Sequence, residues 1–181
     1  MNYRTLEEIC REKERVLGAL ESVVGPLTGP QLSFRPAPGA WGVAEIVEHL
    51  AIVEPGMIRL VRSLSEKAET HTGPGAAPFS VSLGDGIVTG ATGKFTTRPE
   101  AVPKGNATVG DSFRTLRAVQ AELFGLRPRR AAVDVSSVKF THRMLGDMTL
   151  GQWCAFFGAH EERHLGQIRS VISAPGFPKQ A

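Results

Sequence analysis

A segment near the end of the chain keeps helical spacing over six residues, and two of them are histidines. Trp153, Phe157, His160, His164, Ile168 and Val171 follow one another at three- and four-residue steps, the period of one buried helix face. Side chains four apart on a helix stand next to each other, so both imidazoles can reach one metal ion. An apolar stripe turns toward a core, where a pair of imidazoles without partners is costly. A metal relieves that cost, and a further ligand must then come from elsewhere in the chain.

The literal string His160-Glu161-Glu162-Arg163-His164 matches H-E-x-x-H, the zinc-protease motif that supplies two ligands and a glutamate base. The rest of that motif is missing. After His164 there is no histidine, aspartate or glutamate, and Gln167 and Ser170 occupy the places where a metzincin needs glycine and histidine. On a helix Glu161 also points about 100° away from His160, toward the flank, as a solvated charge would. A protease is therefore disfavoured.

Three other histidines are available upstream. His71 lies in a Thr/Gly/Pro-rich loop composition and reads as exposed. His142 falls just ahead of the last helix. His49 sits in Trp41-Gly42-Val43-Ala44-Glu45-Ile46-Val47-Glu48-His49-Leu50, which reads as a helix start. Gly42 is the expected N-cap, Glu45 closes a weak capping box, and Trp41 with Ile46 forms a hydrophobic staple. His49 shares a face with Ile46 and Val53 and can turn inward.

These two segments, Trp41-x-x-x-Glu45-x-x-x-His49-Leu50 and Gln152-Trp153-x-x-Phe156-x-x-x-His160-x-x-Arg163-His164-Leu165-x-Gln167-Ile168, resemble the DinB superfamily, also called the DinB/YfiT-like group. The resemblance runs from the first helix to Ile172. It implies an all-α four-helix bundle that holds one divalent metal through three histidines of its second and fourth helices. Carried over to this chain, those ligands are His49, His160 and His164. One departure is Gly42, where members usually have serine or threonine after the tryptophan.

The rest of the chain agrees with such a bundle. Helical stretches are expected at about 5–24, 43–67, 111–126 and from Thr149 onward, with Thr149 and Gln152 as a capping box. Asp111 or Ser112 is the expected cap of the third. Pro55 followed by Gly56 predicts a kink or local break in the second. Residues 70–106, rich in Gly, Pro, Ser and Thr, read as the long crossover between helices two and three of an up-down bundle. Residues 131–140 are expected to form a short extended segment. At 181 residues and 41% hydrophobic, the chain suits a single domain with a core of its own.

Several function classes are disfavoured. No apolar run approaches the roughly 20 residues of a membrane span, and the first residues lack a secretory signal, so a cytoplasmic protein is expected. Cys10 and Cys154 fall within helical patterns and read as small buried hydrophobes. The net charge of +3 and pI of about 9.1 could suggest nucleic acid. However, Arg11-Glu12-Lys13-Glu14-Arg15 interleaves both signs as an exposed flank does, and the Arg127–Arg130 cluster lacks interleaved aromatics.

Three neutral imidazoles leave a divalent ion with an open position, as in catalytic sites. A bound water there can have its pKa lowered to about 7, and a substrate thiol could bind as thiolate. Zinc, nickel and iron all accept imidazole. With no anionic protein ligand, the site favours an anionic partner. Each ligand's second nitrogen needs a hydrogen-bond partner, a role open to Glu45, and Arg143 and Arg163 are candidate anchors for a substrate carboxylate. Two function classes follow. One is a metal-dependent enzyme acting on a small molecule, by hydrolysis or by transfer to a low-molecular-weight thiol, as the resemblance implies. The other is a non-catalytic, metal-stabilised bundle that binds a small molecule or forms a homodimer.

Overall fold

Thr5 opens the first helix, its hydroxyl accepting the Glu8 N–H, and satisfies one of the donors a helix start leaves bare. A computed structural model describes residues 1–69, 80–84, 97–126 and 134–179. Within them, α1 spans Leu6–Val24 and α2 is a single short helix, Gly29–Ser33. Helix α3 spans Val43–Glu69, α4 Val109–Gly125 and α5 Leu150–Ile172. Four long helices make the fold a four-helix bundle, and the long connection does fall between α3 and α4.

Two small antiparallel ribbons trim the bundle. Strand β1 (Asn2–Tyr3) pairs with β2 (Val81–Ser82), and β3 (Lys139–His142) pairs with β4 (Gly146–Thr149), with His142 opposite Gly146. Strand β3 overlaps the extended segment expected at 131–140, of which 131–133 lie outside the described residues, as does His71. A 3-10 turn, Pro99–Ala101, precedes α4.

Boundaries differ from expectation at two points. Helix α4 starts earlier, with Thr108 as N-cap and Asp111 as its capping-box partner rather than the cap. Helix α3 also runs unbroken through Pro55. The Thr149–Gln152 box stands as expected.

Helix α1 packs chiefly on α5 and more lightly on α4, whereas α3 packs on α4 and α5. The helices thus ring the core in the order α1, α5, α3, α4, and α1 faces α3 across the diagonal. The core divides in two. Ile9, Met57, Val61, Leu123 and Phe157 belong to one apolar cluster, and Leu17, Leu50, Leu116, Leu165 and Ile168 to the other. Between them lies a charged layer, Lys13 of α1, Glu54 of α3 and Glu161 of α5, with no side-chain surface exposed.

That layer corrects two expectations. Lys13 is not part of a solvated flank, because its place one turn from both Ile9 and Leu17 puts it on the inner stripe of α1. Glu161 is likewise buried, since the face of α5 next to the histidines packs against α1 rather than water. Among the described residues no helix is long and apolar enough to cross a membrane, and Cys10 and Cys154 are buried free thiols.

Candidate metal centre

Helices α3 and α5 meet at the upstream edge of the second cluster, and there they bring His49, His160 and His164 together. One ring nitrogen from each lies within 4.8 Å of the others. Ring centroids are 4.9 Å apart for His49 and His164, 5.7 Å for His49 and His160, and 4.6 Å for His160 and His164. His49 and His164 are buried and His160 is half-buried. Trp41 lies against His49 at 5.0 Å, and Phe156 stacks on His160 at 5.4 Å, so aromatic walls hold two of the rings in place.

Hydrogen bonds fix which nitrogens face inward. The Nδ1–H of His49 donates to the Ala101 carbonyl at 2.8 Å. His164 Nδ1–H donates to Gln167 Oε1 at 2.6 Å. A carbonyl oxygen can only accept, so in both rings the lone pair sits on Nε2. His164 Nε2 lies 3.1 Å from His160 Nε2. Two nitrogens bound to one tetrahedral ion at roughly 2.0–2.1 Å stand about 3.3 Å apart. The His160–His164 pair therefore already has about the separation of two ligands on one divalent cation, and His49 brings a third nitrogen within 4.8 Å of both. On the far side of its ring, His160 Nδ1 is buried and has no hydrogen-bond partner among the described residues.

Electrostatics keep the imidazoles neutral, as ligation requires. Burial lowers the pKa of His49. Burial, then the neighbouring imidazoles and Lys13, holds His160 well below its usual value. Burial chiefly, aided by His49, lowers His164 to about 3.

The triad lines the floor of a pocket of about 640 Å³. Ile52, Met57, Leu60, Phe140, Trp153 and Phe156 supply apolar wall, and Arg143 and Arg163, expected as anchors, both reach it. Glu45 does not join the site. Its carboxylate accepts the Gly42 N–H at 2.9 Å and pairs with Arg35 at 2.7 Å, because the third helical position points back at the cap. The partner of His49 is instead the Ala101 carbonyl.

Three further contributors carry no legible signal of their own. Ala101 acts through its backbone. Glu48, buried, accepts the N–H groups of Gly105 and Asn106 at 2.8 and 3.1 Å and so ties the Ala101 segment to α3. His142 lines the pocket from the β3–β4 hairpin. Gln167 stands in the motif quoted above, though its role is visible only once α5 is formed.

Among solved structures, the chain is similar to one described as "YfiT from Bacillus subtilis is a probable metal-dependent hydrolase with an unusual four-helix bundle topology". Identity is 19%, the alignment covers 92% of this chain and 85% of that one, and the TM-score is 0.59. No curated protein sequence matches. The sequence profile of the DinB superfamily matches residues 13–168, nearly the whole bundle, and on that span this chain belongs to the DinB superfamily.

Proposed function

We propose that the protein is a metal-dependent enzyme acting on a small molecule, with His49, His160 and His164 as the ligands of one zinc, nickel or iron ion. The observation that carries this reading is the convergence of three neutral imidazoles on one point at the floor of an open, largely apolar pocket. When bound, the ion supplies Lewis acidity that makes water or a thiol nucleophilic at neutral pH. Hydrolysis or transfer to a low-molecular-weight thiol both suit that chemistry, and neither needs a nucleophilic side chain.

The chain's own residues do the remaining work. Ala101 and Gln167 hold two of the ligand rings by their Nδ1 atoms, which sets their angle toward the ion. Trp41 and Phe156 exclude water from the ring faces. The apolar wall favours a substrate with a hydrocarbon part, and Arg143 and Arg163 give the pocket a positive rim.

The test is elemental analysis of protein purified without a histidine tag, beside His49→Ala, His160→Ala and His164→Ala. One equivalent of metal in the native protein, lost in each variant, is expected. Full occupancy in the variants would place the ion elsewhere and end this reading. The YfiT likeness supports screening hydrolase substrates first.

A further inference from the structure

The pocket has a second pole. His142 ends β3, with its ring 5.2 Å from Phe156 and 5.4 Å from Trp153. Phe156 also stacks on His160, so one phenyl ring separates His142 from the triad. The hairpin dictates the tautomer of His142. The backbone N–H groups of Met144 and Leu145 donate to its Nδ1 at 3.3 and 3.2 Å. An Nδ1 that accepts leaves the proton of the neutral ring on Nε2. That N–H has no acceptor among the described residues. Burial, then the charge of Arg98, lowers the pKa of His142, which keeps the ring in this neutral, single-donor form.

Arg98 lines the same pocket and is weakly engaged. Its carboxylate neighbour, Glu100, is 4.0 Å away, and both side chains are exposed. Across the described lining residues, Arg59, Arg98, Arg143 and Arg163 stand against Glu100 as the sole carboxylate. A cleft of one sign with apolar walls concentrates ligands of the opposite sign.

We propose that the hairpin end of the pocket is an anion subsite, where His142 Nε2–H and the Arg98 guanidinium hold a carboxylate- or phosphate-type group remote from the reacting end of the substrate. This rests on reading the triad as the reacting centre. The substrate class is then a molecule with a metal-seeking head, a short apolar stretch lying along Phe156 and Trp153, and an anionic tail. A fixed N–H within electrostatic reach of a guanidinium on the same pocket wall suits an anionic oxygen, since charge-assisted hydrogen bonds are roughly twice as strong as neutral ones.

Two probes of equal length separate tail from head: 6-mercaptohexanoate and 6-mercaptohexan-1-ol. Each is titrated into cobalt(II)-substituted protein while the thiolate-to-cobalt absorption is followed. The acid is expected to bind about tenfold tighter than the alcohol, a difference of about 1.4 kcal/mol. That preference should fall to near unity in Arg98→Gln and His142→Phe and persist in the distant control Arg114→Gln. His142→Phe keeps a ring between Trp153 and Phe156, and Arg98→Gln leaves the hairpin untouched, so a folding defect in one does not decide the matter. Equal affinities in the native protein, or a preference that survives both substitutions, overturns the subsite. Absence of any cobalt band overturns the metal reading instead. The same probe pair, followed by the fluorescence of Trp41 and Trp153 in metal-free protein, still tests the subsite, with the same acid preference expected and equal affinities again fatal to it.

Discussion

Lys13 Nζ lies 2.8 Å from Glu54 Oε2 across the diagonal of the bundle, with neither side chain exposed. The same ammonium reaches Glu161 Oε1 at 2.5 Å, while Glu54 Oε1 and Glu161 Oε2 find no hydrogen-bond partner outside this layer among the described residues. One ammonium faces two carboxyl groups in a dry layer. Burial pushes both carboxyls up, Glu161 to about 8. Burial alone would lower Lys13, but the two carboxyls outweigh it and raise its pKa. Burial thus works against two carboxylates standing beside one ammonium, and the layer tends to retain a proton on its carboxyl pair.

Removing the ammonium strands the carboxyls. Lys13→Met is expected to lower stability by about 3–5 kcal/mol at pH 8, the usual range for breaking a buried pair. The loss should shrink at pH 5, where both carboxyls can carry protons. Replacing all three residues, as Lys13→Met with Glu54→Leu and Glu161→Met, should be neutral or stabilising. Urea unfolding at the two pH values reads both outcomes, and a triple variant weaker than Lys13→Met would contradict the account.

The pH profile of the metal-free protein follows from two opposed sets of groups. Glu161, raised from its usual 4.5 to about 8, binds a proton in the folded state that the unfolded state has lost. Its contribution is complete below about pH 4.5 and fades as pH rises toward 8. The triad histidines are depressed from 6.5, so their contribution is complete above 6.5 and is lost as pH falls below it. Between pH 4.5 and 6.5 the depressed histidines, His142 included, act against the raised carboxyls, and as the larger set they should make stability climb. Above 6.5 only the carboxyls act and stability should decline. A maximum near pH 6.5 in urea midpoints, measured with chelator present, is the expected result, whereas a flat or steadily rising curve to pH 8 would contradict it.

Gly42 is where family usage and this chain part, and the structure supplies the reason. A Cβ on Gly42 would meet the Phe34 carbonyl oxygen at 2.6 Å and that of Leu32 at 3.3 Å. The Phe34 ring is pinned edge-on against Phe177 at 5.5 Å, so the segment cannot easily retreat. Gly42→Ser would improve the cap by a few tenths of a kcal/mol at most. The clash should outweigh that and destabilise the protein by about 1–3 kcal/mol. A serine variant as stable as the native chain would show that the 32–34 segment yields.

The helices and the His160–His164 pair were legible because each rests on a local pattern, whereas joining His49 to that pair rested on the family resemblance. Period marked α1, α3 and α5, and a spacing of four put His160 beside His164. The exceptions have physical reasons. A lysine in an alternating run such as Arg11–Arg15 looks solvated until its partners, from helices far along the chain, are in place. Position on the stripe between Ile9 and Leu17 was the available clue for Lys13. The Ala101 carbonyl has no side-chain signature at all, and His142 becomes a pocket residue only when a hairpin folds its ring onto Trp153 and Phe156.

Glu48 joins these two kinds of feature and gives the sharpest contrast with Glu45. Both lie within one turn of His49, yet Glu45 caps α3 and Glu48 holds the backbone of Gly105 and Asn106. Releasing that segment frees the Ala101 carbonyl that orients His49. Glu48→Ala should therefore weaken metal binding by about 10–100-fold, the usual consequence of losing the support behind a ligand histidine. Glu45→Ala should instead lower stability by about 1 kcal/mol through the lost cap and leave metal affinity within a few-fold of native. Competition titration with a chromophoric chelator, run beside urea unfolding, separates the two effects. The reverse pattern, with Glu45→Ala losing metal and Glu48→Ala retaining it, would return the supporting role to Glu45.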